Sequence, residues 1–134
     1  MRWWTKAFVC ALAFVLFSLP ASAVIPQRRS ASYVLGLHNG ARVVRSVRLL
    51  SGDSALEGCA QRHANRMRDA GRIWHSTCGR GENVGAGPSM GAIFKAFLNS
   101  DAHRSNIFSP GWRRAGVGVA RSNQGTFYIA VAFS

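Results

Sequence analysis

Between His75 and His103 the chain places Trp74-His75-Ser76, then Gly81-Glu82-Asn83-Val84, then Asn99-Ser100-Asp101-Ala102-His103-Arg104-Ser105-Asn106-Ile107. Two imidazoles and one carboxylate, His75, Glu82 and His103, form the ligand set of an open zinc site whose fourth position holds water. The same trio would serve as a metal-free acid–base group, a histidine titrating near neutrality beside a carboxylate. Ordinary loop histidines with a capping glutamate are the plain alternative, because the spacing is not a compact motif such as HExxH. Ser76 is no nucleophile candidate, since nothing around it resembles the GxSxG elbow.

Helices and strands must bring these residues together. From Ser30 to Val44 the apolar positions Tyr33, Val34, Leu37, Ala41 and Val44 recur at three and four residues. That spacing predicts an amphipathic helix with those residues inward and Asn39 and Arg42 on another face. Val47–Leu50 reads as a brief extended segment and residues 51–54 as a turn. Asp53 or Ser54 then caps a second helix from about Ser54 to Ala70, with Glu57 placed for a capping box and Gly71 as the stop. Leu56, Ala60, Ala64 and Met67 make its inward stripe. His63, on the flank, suits packing or capping better than ligation, because an i,i+4 pair with Cys59 needs a second cluster to close a metal shell.

Trp74–Gly87 is rich in glycine and polar residues and reads as loop or short strand. Pro88-Ser89 opens a third helix through Met90, Ile93, Phe94, Phe97 and Leu98, and a tight turn or second short helix carries His103. Residues 115–120 and 126–133 alternate as strands around an Asn-Gln-Gly turn, the last with both faces covered. The expected class is α+β, with a mostly antiparallel sheet between helical layers.

The front end points to export. Arg2 and Lys6, an apolar run over 7–19 and Pro20-Ala21-Ser22-Ala23 have the form of a cleaved leader over residues 1–23. Residues 24–30 read as a loosely ordered lead-in, and 31–134 as one domain with a real core. The formal charge is +12, from 17 basic and five acidic residues; Arg2 and Lys6 leave with the leader. This excess either follows from a GC-rich genome or draws the protein to an anionic surface, cell-wall polymer or membrane lipid. Nucleic acid is the weakest such partner, for the bases lack interleaved aromatics. Cys10 also leaves, so Cys59 and Cys78 form an even pair expected to close in an oxidising compartment. A metal role for these thiols is the alternative, without CxxC spacing to support it.

Leu37-His38-Asn39-x-x-Arg42 and Leu56-x-x-Cys59-Ala60-x-x-His63-Ala64-x-x-Met67 resemble the first two helices of the CAP superfamily. This superfamily groups cysteine-rich secretory proteins, venom allergens and pathogenesis-related proteins with small bacterial secreted domains. The likeness continues through His75-Ser76, Gly81-Glu82-Asn83-Val84, Phe97-x-x-Ser100-x-x-His103-Arg104-x-Asn106-Ile107 and Gly116-Val117-Gly118, in the bacterial form, and spans roughly residues 31–133. It implies a three-layer α-β-α sandwich whose cleft holds His75, Glu82 and His103, with Ser100 and Asn83 lining it. In such a cleft zinc or another divalent cation binds in relatives. The second glutamate of the eukaryotic pattern falls at Ser100, and Phe97 stands where relatives usually carry tryptophan. A secreted monomeric domain binding a metal, lipid or wall fragment without catalysis is therefore expected first. A zinc-dependent hydrolase of peptides or peptidoglycan comes second, and a purely structural hydrogen-bonded network third.

Overall fold

A computed structural model describes the chain from Ala21 to Ser134. Most of the leader read over residues 1–23 lies outside the described residues. Helix α1 runs Ala21–Val44, so residues 24–30 are helical and not the loose lead-in expected, with Pro26 accommodated inside the helix. Strand β1 (Ser51–Gly52), helix α2 (Ser54–Ala70), strand β2 (Gly81–Gly87), helices α3 (Met90–Leu98) and α4 (Asp101–Phe108), and strands β3 (Arg114–Arg121) and β4 (Phe127–Phe133) follow. No helix among the described residues is long and apolar enough to cross a membrane.

The sheet has the order β1-β3-β4-β2. Antiparallel pairing joins β3 to β4 and β4 to β2, while β1 lies parallel to β3, with Ser51 opposite Arg114. The sheet is thus mixed, antiparallel in two of its three pairings. The strand pairing near residue 50 falls on Ser51–Gly52, read above as a turn, and not on Val47–Leu50. The reason is local: Asn39 bonds both backbone groups of Leu50, its Oδ1 accepting from Leu50 N at 2.8 Å and its Nδ2 donating to Leu50 O at 3.0 Å. With Leu50 already satisfied, ladder contact begins at Ser51 N, which donates to Arg113 O at 3.0 Å.

Alternation along β4 decides which layer each residue enters. Ile129, Val131 and Phe133 join Val117 and Val119 in a core closed by α1, α3 and α4, through Val34, Ile93, Phe97 and Ile107. Tyr128 and Ala130 face the other way, onto Ala60 and Met67 of α2. This α-β-α layering agrees with the expected class. Gly116 and Gly118 let α2 sit directly on β3: a Cβ on Gly116 would lie 2.1 Å from Glu57 N, and one on Gly118 2.2 Å from the carbonyl carbon of Ala60. No side chain fits there.

Helix ends follow the sequence signals. Asp53 caps α2, its Oδ1 accepting from Ala55 N and Leu56 N, each at 3.0 Å, and Gly71 closes it at φ 65°. Ser89 caps α3 through Ala92 N. In α1 the inward face differs from the apolar stripe expected. Ala31, Val34, His38 and Arg42 are buried, whereas Tyr33 and Val44 are exposed. The periodicity puts Arg42 on a polar face. Its guanidinium instead enters the core, donating to the carbonyls of Arg48 (2.6 Å), Ile107 (2.8 Å) and Ser109 (3.0 Å). Carbonyl oxygens satisfy the buried donors, which offsets the cost of removing this cation from water.

Candidate functional site

The loop after α2 and the start of β2 carry the first part of the site. Cys59 and Cys78 are joined by a disulfide, so this loop is stapled to α2. The buried His63 fixes its other end, with Nε2 2.7 Å from Trp74 O and its ring edge-on to the Trp74 indole. His63 is therefore the packed, capping histidine that its flank position suggests. Between these anchors stand His75 and Ser76.

Glu82 is the centre of the arrangement. Its Oε2 accepts from Ser76 N at 2.8 Å and lies 2.9 Å from His75 Nδ1, while Oε1 accepts from the Ser76 hydroxyl. A carboxylate is acceptor-only, so His75 donates from Nδ1 and, when neutral, leaves Nε2 as its free lone-pair nitrogen. The carboxylate is nearly sealed, its side chain 6% exposed, whereas the His75 side chain is 64% exposed. Glu82 thus stands behind His75 and orients it, the carboxylate–histidine arrangement seen behind metal-ligating imidazoles.

His103 arrives from α4, the second short helix that the sequence leaves open beside a tight turn. Its ring lies 4.9 Å from that of Phe97. Its backbone is tied down by Asn83, whose Nδ2 donates to His103 O at 3.0 Å. Burial, then the neighbouring charge of His75, holds the His103 pKa below the ordinary imidazole value. Both causes favour the neutral form of His103, the form in which an imidazole can bind metal.

Asn83, read as lining the cleft, is fully buried beneath it and acts as a tie. Its Oδ1 accepts from Asn106 Nδ2 at 2.9 Å, and the same Asn106 group donates to Glu82 O at 3.2 Å. Ser100 occupies the N-cap position of α4 but makes no side-chain capping bond, and it is partly exposed. Asp101 pairs with Arg104 along the helix and offers no second carboxylate to Glu82.

Among the described residues no group of three or more His, Cys, Asp or Glu is gathered closely enough to hold a metal ion. The donor chemistry fits a two-imidazole site, His75 and His103, with Glu82 bonded behind the first. Two residues outside the expected trio prove central. Ser76, set aside as a nucleophile, supplies two of the three hydrogen bonds to Glu82. Asn106 braces Glu82 and Asn83 from α4, and its place three residues after His103, on the same helix face, was the available signal.

The architecture is thus a sandwich with α2 on one side of a mixed sheet and the His75–Glu82 pair at its edge strand β2. The sequence profile described as Cysteine-rich secretory protein family, CAP, matches residues 35–133, and the chain belongs to this family. Solved structures agree in fold. An outer surface protein of Borrelia burgdorferi superposes with a TM-score of 0.68 at 17% identity, covering 76% of this chain and 89% of that one. An extracellular protein containing an SCP domain from Bacillus anthracis gives 0.65 at 17% identity, over 87% of this chain and 45% of that one. Venom allergen-like protein 4 of Schistosoma mansoni gives 0.64 at 11% identity, over 78% and 89%. No curated protein matches in sequence.

Proposed function

We propose that this protein is an exported, non-enzymatic binding domain. Its His75–His103 cleft takes a divalent cation, zinc first, and with it a small ligand such as a lipid or cell-wall fragment. The observation that supports this most directly is the internal bonding of the nearly sealed Glu82 carboxylate. All three of its hydrogen bonds are internal, so it serves as a fixed orienting group and not as a free general base. Ser100 adds a hydroxyl where a hydrolytic mechanism would want a second carboxylate. The family supports export, and the ten net positive charges that remain once Arg2 and Lys6 leave support an anionic cell-wall or membrane surface as the place where the domain resides.

Bound between the imidazoles, the cation would polarise a ligand oxygen or a water. His75 and His103 would hold it through ring nitrogens, Glu82 and Ser76 would fix the His75 ring, and Asn83 would hold the His103 backbone. A zinc-dependent hydrolase is the second reading, favoured by the His75–Glu82 pair. Metal analysis of the purified protein, with His75→Ala and His103→Ala variants, separates them. Stoichiometric metal lost in both variants, without hydrolysis of peptide or peptidoglycan by the wild type, supports the binding domain. Hydrolysis that disappears with either imidazole establishes the enzyme. An absence of metal from the wild type at millimolar zinc removes both.

A further inference from the structure

The end of α1 and the segment after it form an apolar point set among arginines. Val44 is 83% exposed, Val43 61% and Leu49 51%, and these are three of the five large hydrophobic residues exposed among those described. Arg45 and Arg48 alternate with them and are also exposed. From Tyr33 to Val44 the outer face of α1 continues this surface as a shallow apolar groove with Leu37, Ala41 and Phe94. Scattered single apolar residues need no explanation, but here three lie within seven residues of chain and one of them, Val44, opens onto the groove.

The point is rigid. Arg45 N and Val47 N both donate to Arg42 O, at 3.1 and 2.9 Å, and Ser46 turns the chain at φ 53°. The buried Arg42 guanidinium holds Arg48 O from inside, and Asn39 clamps both backbone groups of Leu50. The exposed valines and leucine are therefore presented on a fixed frame. A frame of this kind does not have to be ordered again on binding.

Charge selects the partner. From Pro26 to Gly52 the sequence contains no aspartate or glutamate, but it carries Arg28, Arg29, Arg42, Arg45 and Arg48. Of these, Arg42 is consumed by backbone carbonyls, which leaves Arg45 and Arg48 beside the exposed apolar side chains. Arg45 lays its guanidinium over the Phe108 ring, the guanidinium carbon 5.0 Å from the centroid, at the edge of this surface. An apolar point ringed by arginines matches the interface of an anionic bilayer, where side chains enter the acyl boundary and guanidinium groups meet phosphates. A soluble polyanion would use the arginines and leave Val43, Val44 and Leu49 in water.

We propose that Val43, Val44 and Leu49 dock this protein onto anionic phospholipid membranes, with Arg45 and Arg48 engaging the headgroups. This rests on the reading of an anionic surface as the partner and is independent of the histidine cleft, which lies on other elements.

The test compares wild type and variants, in the same processed form, by co-sedimentation with vesicles of equimolar phosphatidylglycerol and phosphatidylcholine at physiological salt. Wild type should bind these and not phosphatidylcholine alone. The Val44→Asp/Leu49→Asp pair and the Arg45→Gln/Arg48→Gln pair should each bind about tenfold more weakly or worse. Ile73→Ser, an exposed apolar residue after α2, should bind as wild type does. Circular dichroism verifies that each variant is folded, which the exposure of all four positions favours. Wild type that ignores anionic vesicles overturns both this proposal and the anionic-surface reading. Wild-type binding undiminished in both pairs overturns the docking point alone. Loss only in the arginine pair, with equal retention of wild type on soluble polyglutamate, overturns the bilayer in favour of a polymer.

Discussion

Asn83 on β2 donates to the backbone carbonyl of His103 on α4 at 3.0 Å, so the strand that carries Glu82 and the helix that carries the second imidazole are locked together from beneath. The Asn83 side chain is fully buried and has a second arm to Asn106. Asn83→Ala removes the side-chain donor to His103 O and leaves Asn106 Nδ2 with only its longer bond to Glu82 O, at 3.2 Å. This variant should lose about 2 kcal/mol of stability. Its midpoint in urea unfolding will shift down, and on the proposed cation-binding function its zinc affinity will fall with it.

Glu82→Gln keeps the shape of the side chain but removes the charge that fixes the His75 tautomer. Loss of an orienting carboxylate behind a ligating imidazole weakens metal binding by about 10- to 100-fold. Isothermal titration with zinc measures this. Unchanged affinity would show that the ring of His75 is positioned without Glu82.

His38 gives the fold an acid limit. It is buried beside Phe94, Phe97 and Phe133, its Nδ1 lies 2.8 Å from Val34 O, and its Nε2 has no hydrogen-bond partner. Burial first, and then the charge of Arg42, lowers its pKa from 6.5 to about 4. The unfolded chain therefore binds this proton more readily than the folded one. Stability is complete above pH 6.5 and declines as pH falls through 6.5 towards 4, by about 3 kcal/mol at the bottom. Thermal melts across this range should show the slope, and His38→Leu should flatten it whatever its effect on the baseline.

The Cys59–Cys78 bridge closes a span of 19 residues. Its removal by Cys59→Ser/Cys78→Ser should cost about 3 kcal/mol, through the entropy of the unfolded chain. The site should loosen as well, for His75 and Ser76 lie within the loop that the bridge fastens. Denaturant unfolding and zinc titration of the same variant read the two effects.

Gly118→Ala sets a methyl group against the backbone of Ala60 in α2. Neither backbone has a rotamer with which to move aside, so the substitution should cost about 3 kcal/mol or more. Gly36→Ala, on the outer face of α1 with nothing within 4 Å of the added carbon, is the control and should be neutral or slightly stabilising.

Period and capping signals made the architecture legible. Asp53, Gly71 and Ser89 mark helix ends where the sequence places them, and the alternation of Phe127–Phe133 assigns both faces of β4. The face of α1 was not legible from hydrophobicity, because two of its four inward positions are His38 and Arg42. Only the carbonyls of Arg48, Ile107 and Ser109, up to 67 residues away, make Arg42 tolerable in the core. At the site, composition picked out His75, Glu82 and His103 as candidates, and the structure brings Glu82 against His75. Their division of labour depended on distances that spacing does not encode: Glu82 turned to Ser76 and His75, Asn83 turned down to His103.

The strand order β1-β3-β4-β2 places the last two strands of the chain in the middle of the sheet. β1 and β2, made early, pair only with β3 and β4 and never with one another. Until residues 114–133 have emerged, neither early strand has a ladder partner, and α2 has no floor of Gly116 and Gly118 to rest on. The helices, the Cys59–Cys78 bridge and the ties from Arg42 and Asn83 to α4 can form first, while every strand pairing waits on residues 114–133. A chain stopped before Phe127 would therefore lose the hub of its sheet and not a fringe, since β4 alone joins β2 to β3.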